Sequence, residues 1–92
     1  MKVSFSVQFK GGTNGYLSLK IFDSTGAQVG KSIEFENSGT KSRELGPDEY
    51  VVSIGGMSTE GGTQFTINTE TEPTTPKSYK KGINDIFFML IN

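Results

Sequence analysis

The sequence predicts an all-β protein, an antiparallel β-sandwich of about seven strands, and three features carry that expectation. Apolar residues recur at every second position, most cleanly at Val3, Phe5, Val7 and Phe9, which alternate with Lys2, Ser4, Ser6, Gln8 and Lys10. That period of two belongs to a half-buried strand. Clusters of Gly, Asn, Asp and Ser break such stretches at intervals of roughly 8–14 residues, which suits short strands joined by tight turns. No window shows a helical period. Ninety-two residues with a hydrophobic fraction of 33% support one domain with one thin core.

The elements follow in order. Residues 2–10 form the first strand, and Gly11-Gly12-Thr-Asn-Gly15 the first turn, rich in residues that tolerate positive φ. Tyr16 to Phe22 is the second strand, with Leu17, Leu19 and Ile21 inward and Tyr16, Ser18, Lys20 and Phe22 outward. Asp23-Ser-Thr-Gly26 closes a hairpin into a third strand over 28–36, irregular near Gly30. Lys41 to Leu45 is a short strand leading to the central element. There Pro47 pre-sets a turn, and Tyr50, Val52 and Ile54 line one face of the strand that follows. Residues 57–62 read as a flexible loop and 63–69 as a strand with Phe65 and Ile67 inward. The 70–82 stretch, with two prolines and no apolar period, reads as an extended loop before a last strand over 85–92.

Composition excludes several classes of chemistry. With no cysteine there are no disulfides and no thiolate metal sites, and with no histidine there is no imidazole base or ligand. A net charge of −1 argues against nucleic acid as partner. No apolar run is long enough to span a membrane. The alternating Met-Lys-Val-Ser-Phe start lacks the continuous apolar region of a signal peptide. The chain is then either cytosolic or a mature form whose leader has been removed, and the wealth of Gly, Ser and Thr favours a module outside the cytoplasm.

Two segments together resemble a known class. Ile21-Phe-Asp-Ser-Thr-Gly-Ala-Gln-Val29 followed by Leu45-Gly-Pro-Asp-Glu-Tyr-Val-Val-Ser-Ile54 is similar to transthyretin-like (prealbumin-like) sandwich modules. These include carboxypeptidase regulatory-like domains and collagen-adhesin B-type repeats. The resemblance covers about the middle third of the chain. It implies an Ig-like Greek-key sandwich and a secreted or cell-envelope binding or scaffold module without catalysis. Asp48 departs from the pattern, which has glycine there. The adhesin-type members also carry Lys–Asn isopeptide bonds, for which Lys2, Lys10, Asn84 and Asn92 are the matching candidates; solvated lysines and turn asparagines explain the same residues.

Other motifs read as structure. Gly26-Ala-Gln-Val-Gly-Lys-Ser32 lacks the first glycine of a phosphate loop, and Ser32 to Glu36 alternates as a strand where that motif needs a helix. Asp23-Ser-Thr-Gly26 carries one residue too many for the Asp-Thr-Gly turn of a dimeric aspartic protease, leaving that enzyme a remote alternative. Lys77, Tyr79, Lys80 and Lys81 form a basic loop diluted by Glu70 and Glu72. Asp23, Asp48, Glu49 and Asp85 match no calcium-loop spacing. No catalytic, metal or cofactor residues are therefore assigned.

The last strand breaks alternation: Ile86 through Ile91 are all apolar. One of its faces must lie outside the core. If Ile86, Phe88 and Leu90 point inward, then Phe87, Met89 and Ile91, with Tyr16 and Phe22, form a candidate interface for a protein partner or a homodimer. The competing explanations are cover by the 70–82 loop or the reverse parity. Carbohydrate binding is the alternative function, with Tyr16, Tyr50 and Tyr79 as stacking platforms and no tryptophan to help.

Overall fold

A computed structural model describes residues 1–92. Its strands are β1 (Lys2–Phe9), β2 (Tyr16–Phe22), β3 (Ile33–Phe35), β4 (Gly39–Glu44), β5 (Asp48–Met57), β6 (Thr63–Ile67), β7 (Lys77–Tyr79) and β8 (Gly82–Ile91). They form two four-stranded antiparallel sheets: sheet A in the order β4-β1-β6-β7 and sheet B in the order β3-β2-β5-β8. The chain is an all-β antiparallel sandwich with eight strands rather than seven.

The differences from the sequence reading have local causes. The added strand is β7, where Lys77–Tyr79 pairs with Phe65–Thr63 inside the stretch read as loop. Only Ile33–Phe35 of the expected 28–36 strand joins the ladder, because Gly30 turns the chain with φ of 70° and leaves Gln28 in a lone bridge with Phe22. The 57–62 loop is pinned rather than free. Thr59 is buried, and its hydroxyl donates to the carbonyls of Lys10 (3.1 Å) and Gly62 (3.0 Å).

The core lies where the period of two puts it. Val3, Phe5 and Val7 of β1, with Phe65 and Ile67 of β6, face Leu17, Leu19 and Ile21 of β2 and Tyr50, Val52 and Ile54 of β5. Burial of such side chains, at about 1.5–3 kcal/mol each, is what holds two thin sheets together. At the entry to β5, the Tyr50 hydroxyl donates to the Gly46 carbonyl at 2.8 Å. This fixes the turn that delivers Leu45 into the core.

The parity of β8 is a correction. Phe87, Met89 and Ile91, named above as candidate interface residues, are core side chains, and Phe87 is fully buried. Their direction is set by register: β8 pairs with β5 so that Val52 opposes Phe87 and Tyr50 opposes Met89. Residues opposite one another share a face, so β8 inherits the orientation of β5.

Charged side chains close both open sides of the sandwich. On β4, Lys41 and Arg43 oppose the inward residues Phe5 and Val3. Arg43 donates through Nη1 to the Val29 carbonyl at 2.6 Å, and Lys41 Nζ donates to the Glu34 carbonyl while lying over the Phe35 ring. Inward cations of this kind blunt an edge strand against pairing with other chains. On the opposite side Lys77 of β7 meets Asp85 of β8 at 2.6 Å, and the Tyr79 hydroxyl donates to the same carboxylate oxygen at 2.8 Å. Burial pushes the Asp85 carboxyl up, but hydrogen bonds from Lys77, Tyr79 and the Ile86 N–H outweigh it and hold the group below the usual carboxylate range. Burial and the bond to Asp85 together push the Tyr79 phenol far up.

Candidate functional site

The outward positions of sheet B form rows across the strands. Phe88 opposes Val51, and Val51 opposes Phe22. The row continues at both ends, because Glu72 bridges Phe88 and Gln28 bridges Phe22. Leu90 opposes Glu49 in the next row and Ile86 opposes Ser53 in the one on the other side. Phe88 and Leu90 are 57% and 59% exposed, and Ile86 is 49% exposed. Three large apolar side chains on one strand thus stand side by side in water. They sit on the edge strand, in the same run of outward positions as the half-buried Val51 and, one strand further, Phe22.

Two pieces of chain wall this surface. The Asp23–Gly26 turn stands on one side and residues 70–72 on the other, so the floor of Val51, Phe88 and Leu90 lies in an open groove of about 1010 Å³. Each wall is held in place locally. Asp23 accepts hydrogen bonds from the Thr25 hydroxyl (2.6 Å), the Thr25 N–H (2.9 Å) and the Ala27 N–H (3.1 Å). These bonds, the Thr25 hydroxyl foremost, hold the Asp23 carboxyl below its ordinary range. The Ser24 hydroxyl, helped by the Glu49 N–H, does the same for Asp48 at the start of β5. On the other wall, Glu72 and Phe88 exchange both backbone hydrogen bonds, at 2.9 and 2.8 Å. Thr71 is buried beside them, its hydroxyl donating to the Pro73 carbonyl at 2.7 Å.

The groove is charged with one sign. Asp23, Glu49, Glu70 and Glu72 line it, and no lysine or arginine does. Lys20, one row beyond Phe22 on β2, is the only cation at an outward strand position of sheet B. An apolar floor with a rim of carboxylates is complementary in charge to an apolar surface flanked by cations.

The residues singled out from the sequence fall into place unevenly. Tyr16 and Phe22 do lie on this outer face, with Tyr16 49% exposed, whereas Phe87, Met89 and Ile91 lie beneath it. The face is built instead from Val51, Ile86, Phe88 and Leu90, with Glu49 and Glu72 at its rim. Of the three tyrosines considered for sugar stacking, Tyr50 is buried and Tyr79 is tied to Asp85; Tyr16 alone is open. Lys2 and Lys10 are exposed at the two ends of β1 in sheet A, while Asn84 and Asn92 are exposed on or beyond β8 in sheet B. The Gly26–Ser32 stretch leads into strand β3, without a helix N-terminus to face phosphates. The Asp23 carboxylate is occupied by its own turn.

The fold and the groove define a class: an antiparallel β-sandwich presenting one apolar, acid-rimmed sheet face. Comparison with known proteins goes no further, since no family model, no curated protein and no solved structure matches the chain.

Proposed function

We propose that this chain is a non-catalytic binding module that acts through protein–protein contact on the outer face of sheet B. One observation carries the reading: Ile86, Phe88 and Leu90 stand exposed in a row on the edge strand of a small, polar protein. Contiguous apolar surface of this kind is unfavourable in water and is usually covered by a partner. The resemblance to transthyretin-like modules supports the same class, and with the Gly, Ser and Thr content it favours a secreted or cell-envelope setting.

Site-specific photo-crosslinking in the protein's own cellular setting tests this. A benzophenone side chain at position 88 should give discrete adducts that vanish when Leu90 is changed to Ser. The same group at Ser42, on the outer face of sheet A, should give none. Equal labelling from both positions, or none from position 88, would overturn the reading.

A further inference from the structure

We infer that the occupant of this groove is an amphipathic α-helix of another protein, with Lys or Arg flanking its apolar stripe; the inference rests on the docking reading above. Three features of the groove point to a helix rather than a strand or a second copy of the chain.

The first is the state of the β8 edge. An extended peptide gains affinity by pairing its backbone with a free sheet edge. Here that edge is taken at its centre, because Glu72 uses both the N–H and the C=O of Phe88. What remains open is the face, and a face offers no backbone partners. A ligand lying there must satisfy its own N–H and C=O groups, as a helix does.

The second is spacing. Leu90, Phe88 and Ile86 are two residues apart along β8, so they repeat about every 6.8 Å. Residues at i, i+4 and i+8 of a helix repeat about every 6 Å. Across the strands, the backbone of Glu72 and that of Phe22 are three strand spacings apart, about 14 Å. A helix with its side chains is about 10–12 Å across, comparable with this span of the sheet face over Val51, Phe88 and Leu90.

The third is charge. Asp23, Glu49, Glu70 and Glu72 line the groove and no lysine or arginine does, Lys20 standing one row away in line with Ile86. A second copy docked face to face would bring the same carboxylates against them, and it has no helix to offer. Like charges opposed in a partly dehydrated contact repel, whereas Lys and Arg on either side of an apolar stripe are matched.

Synthetic peptides about five turns long separate the alternatives when titrated into isotope-labelled protein and followed by amide shifts. The first peptide has Leu at i, i+4, i+7 and i+11 with flanking Lys on an Ala background. The second replaces Lys by Glu. The third has the composition of the first but alternates Leu and Lys as a strand would. The inference expects the first to bind at least about tenfold more tightly than either of the others and to move the amides of Val51, Phe88 and Leu90. Phe88→Ser with Leu90→Ser, both exposed positions, should weaken that binding about tenfold while the spectrum stays dispersed. Glu49→Lys with Glu72→Lys should weaken it comparably and flatten its salt dependence.

Tighter binding by the alternating peptide, with new exchange protection at Leu90, would overturn the helix and leave the docking reading standing. Preference for the Glu-flanked peptide would overturn the charge assignment. Shifts confined to the outer face of sheet A, at Ser4 or Ser42, would overturn both the helix and the docking face. Absence of binding by all three peptides, beside specific crosslinks from position 88, would overturn the helix alone.

Discussion

Phe87 and Phe88 are adjacent, chemically identical and placed in opposite environments, so a matched pair of substitutions tests the parity of β8 directly. Phe87 is fully buried, with its ring 5.4 Å from that of Phe65 at a tilt of 42°. Phe87→Ala removes a ring from a closed core and costs about 3–5 kcal/mol, of which the tilted pair with Phe65 supplies roughly 0.5–1.5. A domain of this size has only about 5–15 kcal/mol to lose, so Phe87→Leu, at about 1–2 kcal/mol, is the safer quantitative variant. Phe88 is 57% exposed, and Phe88→Thr, which keeps a strand-forming side chain, should change stability by less than about 1 kcal/mol. Equilibrium unfolding in urea, with matching m-values as the check on two-state behaviour, reads both numbers. Each kcal/mol corresponds to about 4–8 °C in Tm for a domain of this length. Equal losses at the two positions, or a larger loss at Phe88, would mean that β8 presents its other face to the core. The docking surface would then have to be redrawn around Phe87, Met89 and Ile91.

Three further substitutions probe the devices that hold the sandwich. Tyr50→Phe deletes the bond to the Gly46 carbonyl and should cost about 1 kcal/mol in urea unfolding; no loss would mean that the turn holds itself. Gly56→Ala should cost about 2–3 kcal/mol in thermal unfolding, because a Cβ there would lie 2.1 Å from the Tyr16 carbonyl oxygen and force β2 and β5 apart. The carboxyl of Asp85 is held below its ordinary value when folded, so its stabilisation is present above pH of about 4 and is lost as pH falls through the folded value. Asp85→Asn should therefore lower stability by about 1 kcal/mol at neutral pH and flatten the acid limb of stability against pH. An unchanged acid limb would assign that pH dependence to other carboxylates.

Much of the fold was legible because a two-sided strand writes its orientation into the chain. In β1 polar residues mark one face and apolar residues the other. In β2 and β5 the inward positions are uniformly apolar while Ser18, Lys20, Glu49 and Ser53 mark the outer face despite Phe22 and Val51, so the buried set from Val3 to Ile54 follows from alternation. β8 has no such contrast between Ile86 and Ile91, and only its pairing with β5 chooses the face. One local signal was present. Begun at Ile83, the odd positions hold four apolar residues and the even ones three, between Asn84 and Asn92. That balance is slight, and Asp85 falls on the inward set, where its contacts with Lys77 and Tyr79 could not be foreseen. β7 was hidden for another reason: three residues, Lys-Ser-Tyr, are too few to show a period. The carboxylate rim was beyond sequence reasoning, because Glu70 and Glu72 reach the groove only through the bridge to Phe88.

The two outer faces of the sandwich show that exposed apolar residues are not a requirement of its strands. On sheet A the outward positions are occupied by residues that serve one another: the hydroxyls of Ser4 and Ser42 meet at 2.8 Å, as do those of Ser6 and Thr40. Gln8, Gln64 and Thr66 extend this polar surface. Thr and Ser satisfy a solvent-facing strand there without exposing hydrocarbon, and Thr has a strand propensity that matches its apolar neighbours. β8 could have been completed the same way. Its outward Ile86, Phe88 and Leu90 lie on an edge strand, where exposed apolar groups invite unwanted pairing. The bridge from Glu72 blocks that pairing at the middle of the edge while leaving the side chains open on the face. The edge is thus closed at its middle to strand pairing while the neighbouring face keeps its apolar side chains in water, the arrangement that separates edge pairing from face contact.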